Sequence, residues 1–263
     1  MTKIEAAVQQ TRSPPRQGWL LAAYYRIAFY FCVLVWLLSC LAWSLPALLL
    51  VRIVPKRPGE RIGQFMIMLG FRWFLFVMRA TGVLRVDLSP LDVLRRDGGL
   101  VIAPNHPTML DAVLIISRLP RVVCITKASL WSSWTLGGGI RMAGYMPNDA
   151  PLPMIRRAGE AVRGGSQLLI FPEGSRTGRP PVDRLHRSFA LMARAAQAPV
   201  QALLIEADSP YLSRGWPLFR RPVLPLVYRI RLGERFEVGE NTEDCVARLE
   251  RHFRAELPPR QPA

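Results

Sequence analysis

A histidine, two carboxylates and an arginine stand just past two short apolar runs of this chain. Asn105-His106-Pro107-Thr108-Met109-Leu110-Asp111 follows Leu100-Val101-Ile102-Ala103, and Phe171-Pro172-Glu173-Gly174-Ser175-Arg176-Thr177 follows Leu168-Leu169-Ile170. Such runs have the look of buried strands, and in an open parallel sheet the strand ends share the edge where ligands bind. Imidazole is the side chain that exchanges a proton near neutral pH. A carboxylate that holds one ring nitrogen as N–H leaves the other free to take a proton, the orienting half of a catalytic triad. No serine or cysteine nucleophile is needed where a substrate brings its own hydroxyl.

The spacing sets limits on how these groups meet. Pro107 has its φ preset and no N–H, so it suits a first helical turn. This predicts a helix from Pro107 to about Ile116 with His106 near the N-cap. Asp111, five residues on, is wrongly spaced to share a straight helix face with His106. A histidine hinged at the cap can instead fold its ring back over the first turn. In the second motif Gly174 permits a tight turn whose N–H groups face an anion. Arg176 adds a planar fork suited to phosphate, and Glu173 is placed either to hold Arg176 or to bond a substrate hydroxyl. Lys127 ends Val122-Val123-Cys124-Ile125-Thr126, a β candidate, and so reaches the same edge.

In this order the motifs resemble the glycerolipid acyltransferase family typified by 1-acylglycerol-3-phosphate acyltransferases. Its first block, N-H-x-x-x-x-D, and its third, F-P-E-G-T/S-R, are present in full, and the resemblance covers roughly Gly98 to Ile205. It implies that His106 is the general base and Asp111 its partner. It further implies that Arg176 and Glu173 bind a phosphate-bearing acceptor, with Gly174 shaping the turn. Asn105 and Ser175 complete the expected substrate-binding set, and Lys127 matches a lysine credited in bacterial members with stabilising the oxyanion. The second block, usually G-x-I-F/P-I-x-R, departs: Gly144 is kept, but Ala150 stands where the arginine would fall. Arg156 and Arg157 are nearby, either as substitutes or as an exposed helix face. The fourth block keeps Pro199-Val200 and lacks its second proline. These departures leave the chemistry intact and open the identity of the acceptor.

The elements that must position these groups follow from composition and periodicity. With 263 residues and 50% hydrophobic content, the chain can bury one full domain plus a membrane element. A net charge of +16 points to an anionic partner. No nucleic-acid motif accompanies it, whereas Arg52, Lys56, Arg57 and Arg61 directly follow an apolar segment, which fits an anionic membrane surface. That segment, Ile27 to Val51, carries no charge and as a helix exceeds the roughly 30 Å of a hydrocarbon core. Pro46 is positioned to kink it or turn it back. Phe65 to Met78, apolar apart from Arg72, suits the interface. Basic residues flank the first segment on both sides. The larger cluster after Val51 favours a catalytic domain on the cytoplasmic side of the inner membrane.

The remaining signals are structural. Cys32, Cys40, Cys124 and Cys245 show neither metal spacing nor a disulfide framework, and no metal is expected. His186 and His252 read as surface residues, and Gly137-Gly138-Gly139 as a flexible loop, since it lacks a preceding strand and the P-loop lysine. No G-x-S-x-G occurs, which removes a serine hydrolase elbow. Helices are expected near Met154–Arg163 and Arg187–Ala196, with late strands over Pro225–Val238. A final helix capped by Asn241 or Thr242 should carry a Val246, Leu249, Phe253, Leu257 stripe.

The expected fold is α/β, a mostly parallel or mixed central sheet flanked by helices and preceded by an N-terminal membrane-embedded helical element. The expected organisation is a disordered basic leader (1–18), a membrane segment (19–82), a catalytic domain (83–257) and a tail (258–263). The resemblance implies a membrane-bound O-acyltransferase that moves a fatty acyl group from acyl-coenzyme A or acyl-carrier protein to a lysophosphatidic-acid-like acceptor. Anionic membrane lipids are the further expected partners, and no cofactor is required. The alternatives are the same chemistry on a non-phosphomonoester lysolipid, and a non-catalytic membrane-binding protein of the same fold.

Overall fold

The computed structural model describes residues 18–217 and 219–258. The predicted leader falls outside them but for Gly18, as does the tail beyond Pro258. Two long helices come first, α1 (Trp19–Ile53) and α2 (Lys56–Ala80). The strands β1 (Leu84–Asp87), β2 (Leu100–Pro104), β3 (Val122–Thr126), β4 (Met146–Pro147), β5 (Gln167–Leu169), β6 (Val200–Ala207) and β7 (Leu226–Phe236) form one sheet in the order β1-β7-β6-β2-β5-β3-β4. Every neighbouring pair is parallel except β6 with β7.

The sequence explains the centre of the sheet. Leu100–Pro104 is buried at every position, as a strand covered on both faces must be, which is why it reads as a continuous apolar run. β2 pairs with β5 at Ile102↔Leu169 and with β6 at Pro104↔Leu203, and β5 pairs with β3 at Leu169↔Cys124. The C-terminal ends of β2, β5 and β3 therefore open on one edge, and the two motifs and Lys127 follow directly from them. The late strands predicted over Pro225–Val238 are one strand, β7, whose pairing with β6 carries an irregularity between Gln201 and Leu203.

Between the strands run α3 (Leu110–Ile116), α4 (Ala128–Trp131), α5 (Gly137–Met142), α6 (Pro151–Arg163), α7 (Ser188–Ala196) and α8 (Thr242–Glu256). α6 packs on α7, α7 on β2, and α8 on β6 and β7. Asn241 caps α8 by accepting the N–H groups of Glu243 and Asp244, and Leu249, Phe253 and Leu257 of the predicted stripe are buried. Val246 is half-buried, and Cys245 completes the inward face.

Three expectations need correction. α1 runs continuously through Pro46, with no turn back. Gly137-Gly138-Gly139 is the first turn of α5, buried against α1, and not a flexible loop. A Cβ on Gly138 would overlap the Ser44 carbonyl, and one on Gly139 would lie 2.9 Å from the Trp43 ring. The glycines are there because two helix backbones meet. His252 is half-buried, its Nε2 accepting the Glu234 N–H at 3.2 Å, whereas His186 is exposed as expected.

α1 is two-faced along its length. Phe29, Cys32, Ser44 and Ala47 face the protein and are buried, while Ile27, Phe31, Leu34, Leu38, Leu45 and Leu49 are exposed. The two sets alternate at the helical repeat. α2 repeats the pattern, with Ile67, Phe74 and Met78 buried and Phe65, Leu69, Trp73 and Phe76 exposed.

Candidate active site

His106 leaves the end of β2 and folds its ring back so that Nδ1 lies 2.9 Å from Asp111 Oδ2. The expected pairing is present, though the helix begins at Leu110 and not at Pro107. The intervening turn is closed by side chains. Asp111 Oδ2 accepts the Thr108 N–H at 2.8 Å, and Thr108 Oγ1 accepts the Leu110 N–H at 3.2 Å. Those donors are satisfied locally, so the first helical turn starts later.

Asp111 is fully buried, and the cost of burying its charge is offset by bonds to both oxygens. Oδ1 accepts the Thr108 hydroxyl at 2.7 Å. With its proton so directed, Thr108 Oγ1 can only accept from Tyr228, whose hydroxyl lies 3.0 Å away. Burial, followed by the Asp111 charge, raises the Tyr228 phenol well above its ordinary range, so it stays a donor. Tyr228, Thr108, Asp111 and His106 thus form one chain of bonds, and the first two were missed in the sequence. Thr108 lies inside the motif, but Tyr228 reaches it from β7 and no local pattern points to it.

The second motif holds the histidine from outside. Glu173 Oε1 accepts the His106 N–H at 2.8 Å and the Thr177 hydroxyl at 2.8 Å, and Oε2 accepts the Asp183 N–H at 2.9 Å. Burial pushes the Glu173 carboxyl above its ordinary range, opposed by these donors. The Thr177 N–H also donates to the His106 carbonyl at 2.8 Å. Phe171 stacks on the imidazole with ring centroids 3.7 Å apart. Backbone and ring are therefore both fixed, while Nε2 meets no polar partner among the described residues and the side chain remains 15% exposed. That nitrogen is the one free to take a proton.

Two residues expected at the substrate do other work. Glu173 neither holds Arg176 nor faces outward, because both its oxygens accept protein donors. Asn105 is buried, giving Nδ2–H to the Ile205 carbonyl at 2.9 Å and accepting the Ile205 N–H at 2.7 Å. It extends the β2–β6 ladder past Pro104. Ser175 is exposed, its hydroxyl 3.4 Å from the Arg176 carbonyl. Gly174 makes the predicted turn at φ +67°, with the His186 ring against it.

Arg176 is half-buried and donates from Nη1 to the Leu212 and Ser213 carbonyls, at 2.9 and 2.8 Å. Nε and Nη2 meet no acceptor among the described residues, so one two-pronged edge of the guanidinium stays available to an anion. Lys127 is exposed just past β3. β5 lies between β2 and β3, which puts Lys127 about 10 Å across the edge from the end of β2. Ala150 precedes α6 as its N-cap, and Arg156 and Arg157 are on that helix's exposed face, with Arg156 3.9 Å from Glu160.

An apolar cleft of about 120 Å³ opens between the two long helices and the domain, and Met109 and Leu110 of the first motif reach it. Phe29 and Trp36 of α1, Phe74 of α2, and Met109, Leu110 and Leu212 are among its lining. Among the described residues no group of three or more histidine, cysteine, aspartate or glutamate side chains could hold a metal ion.

The central mixed sheet thus carries a histidine held by a buried aspartate, in a motif that also lines an apolar cleft. Residues 85–206 match the family model described as Acyltransferase. Both motifs lie inside this stretch, and the recognition of an acyltransferase domain is borne out. The human 1-acyl-sn-glycerol-3-phosphate acyltransferase beta is 26% identical over 195 residues, covering 72% of this chain and 66% of the relative. The chain thus spans just under two thirds of that relative's length. The fold is shared with the crystal structure of the 1-acyl-sn-glycerophosphate (LPA) acyltransferase PlsC from Thermotoga maritima. The TM-score is 0.58 at 19% identity, over 88% of this chain and 92% of that one.

Proposed function

We propose that this chain is a membrane-bound O-acyltransferase that joins a fatty acyl group, delivered as a thioester, to the hydroxyl of a lysophosphatidic-acid-like acceptor. The observation that carries the reading is His106, with Nδ1 engaged by a buried carboxylate and Nε2 without a protein partner, in a motif whose Met109 and Leu110 line an apolar cleft. The similarity of the human and Thermotoga proteins, both titled as acyltransferases of this acceptor class, supports it.

In this mechanism His106 Nε2 takes the proton of the acceptor hydroxyl as its oxygen attacks the thioester carbonyl. Asp111 holds the imidazolium that forms, and Thr108 and Tyr228 hold Asp111. The tetrahedral oxyanion develops at the edge shared with Lys127, whose ammonium would stabilise it by moving in from its exposed position. When the C–S bond breaks, the imidazolium returns its proton to the leaving thiolate. The products are an ester and a free thiol, and the enzyme is regenerated without a covalent intermediate. The acyl chain takes the apolar cleft, the free edge of Arg176 takes an acceptor phosphate, and the donor is acyl-coenzyme A or acyl-carrier protein.

The membrane reading follows from how α1 is packed. α1 is long and apolar enough to cross a membrane, yet Phe29, Cys32, Ser44 and Ala47 on one face are buried against the protein. With its opposite face apolar and exposed, it lies along the interface with that face in the lipid, as α2 does beside it. The proposed place is the cytoplasmic face of the inner membrane, with the basic residues after Val51 on anionic headgroups.

Ala150 favours a second reading of the acceptor. With the second-block arginine absent and Arg156 and Arg157 turned to solvent, Arg176 lacks the second arginine of the family's pocket, which suits a lysolipid without a phosphomonoester as well. Transfer from a labelled acyl thioester to a panel of lysolipids tests both readings. Ester formed on lysophosphatidic acid supports the first, ester formed only on other lysolipids supports the second, and no ester on any acceptor contradicts both.

A further inference from the structure

Beyond the two long helices, one surface of the catalytic domain has the chemistry of a lipid contact. Phe219 and Val223 lie between the ends of β6 and β7 and are 60% and 68% exposed. Arg220, next to Phe219 in the chain, is exposed, as is Arg214 earlier in the same segment, whose guanidinium reaches toward Gly178. Arg220 sits over the Trp216 ring, 4.9 Å from its centroid, and its carbonyl accepts the Trp216 indole N–H at 3.0 Å. The segment is tied to α1. The Tyr30 hydroxyl donates to the Phe219 carbonyl at 3.4 Å, and Tyr211 packs edge-on to Phe29 with centroids 5.6 Å apart. Tyr30 is itself 47% exposed, so this bond brings the Phe219 backbone to the helix that carries the exposed apolar stripe.

We propose that Phe219, Val223, Arg214 and Arg220 form a third membrane contact, with the two apolar side chains among the acyl chains and the arginines on anionic lipid phosphates. The proposal rests on the reading of α1 as lying in the interface. Amphipathic aromatic and arginine side chains suit the headgroup boundary, where an apolar body and a polar tip are both satisfied. An acidic carrier protein would match the arginines but would leave Phe219 and Val223 exposed next to a helix stripe already in lipid. A lipid surface accounts for all four. The contact also reaches the site, because the same stretch of chain supplies the Leu212 and Ser213 carbonyls that hold Arg176, and the Leu212 carbonyl accepts the Met109 N–H at 3.1 Å.

The test places the photo-reactive residue benzoylphenylalanine at position 219 of the full chain, where it replaces a like aromatic, and at position 34 as a reference on the α1 stripe. Both proteins are reconstituted in vesicles of phosphatidylcholine and phosphatidylglycerol and irradiated, and adducts are read by mass. Lipid adducts from both positions are expected. Reversing both arginine charges (Arg214→Glu with Arg220→Glu) should cut the adduct at 219 at least about fivefold, the worth of one basic residue at an anionic surface, and leave that at 34 unchanged. Adducts at 34 but not at 219 would overturn the proposal and leave the α1 reading standing. Adducts at neither would overturn both. In a second irradiation with acyl-carrier protein added to the vesicles, a position-219 adduct with that protein in place of lipid would overturn the proposal and assign the surface to the donor.

Discussion

Glu173 Oε1 accepts the backbone N–H of His106 across 67 residues of chain, at 2.8 Å. The acidic residue of one motif is thus the brace for the base of the other. With Thr177 donating to the His106 carbonyl, the second motif sets where the His106 imidazole stands. Such preorganisation lets a positioned base act without a reorganisation cost at the moment of reaction.

Glu173→Gln tests the brace. An amide keeps one oxygen for His106 and Thr177 but turns an N–H₂ toward the Asp183 N–H, so donor faces donor. Leaving such a buried group unpaired costs about 1–3 kcal/mol. The expected outcome is a fall in Tm with lower kcat and an acceptor KM within about twofold of wild type, since removing only a transition-state interaction spares binding. A large rise in acceptor KM at unchanged Tm would return Glu173 to the substrate.

Thr108 and Tyr228 should separate by size of effect. Thr108→Val leaves Asp111 Oδ1 without its donor inside the core and should lower kcat by about tenfold or more, as 1.4 kcal/mol is a factor of ten. Tyr228→Phe removes only the outer bond and should cost less than Thr108→Val. Steady-state kinetics on the two variants measure this, and a larger loss for Tyr228→Phe would mean that the phenol contacts substrate directly.

The sequence carried the centre of this fold well and its long-range contacts poorly. β2 and β5 were legible because strands buried on both faces read as uninterrupted apolar runs, and the His106–Asp111 pair because both partners lie in one motif. The partners of Glu173, Asn105 and Thr108 were not legible. The farthest of them, His106, Ile205 and Tyr228, lie 67, 100 and 120 residues away, and a side chain that bonds backbone, as Glu173 and Asn105 do, leaves no mark on its partner's identity. Gly137-Gly138-Gly139 was misread for the same reason. Glycine signals freedom locally, and only the Ser44 backbone of a distant helix shows that here it permits close approach. His252 shows the converse, a histidine without a nearby carboxylate that still finds a backbone N–H.

Gly138→Ala should act on that contact. The added methyl meets the Ser44 carbonyl and the Leu48 side chain, and overpacking of this kind costs about 1–3 kcal/mol. Thermal unfolding should show a lower Tm, and α1 should become more accessible to protease next to α5. An unchanged Tm would mean that α1 and α5 are not packed as described.

Arg176→Ala should raise the acceptor KM and lower kcat while the donor KM stays near wild type, and Arg176→Lys should restore activity only in part, because an ammonium cannot reproduce the two-pronged edge. Discrimination between acceptors with and without a phosphomonoester should be weak, since each charged hydrogen bond is worth about 1.5–3 kcal/mol and Ala150 supplies none. Initial rates against varied donor and acceptor measure both. Equal effects on the two KM values would place this loop at the thioester carrier.

The central claim is that His106 is the base that deprotonates the acceptor. Its most direct measurement is the rate of acyl transfer by His106→Ala in reconstituted membranes, with Tm and membrane retention checked against wild type. General-base catalysis contributes about 10²–10⁴-fold, so the variant is expected to lose at least about a hundredfold in kcat while staying folded and membrane-bound. A folded variant that keeps more than about a tenth of the wild-type rate would contradict the account.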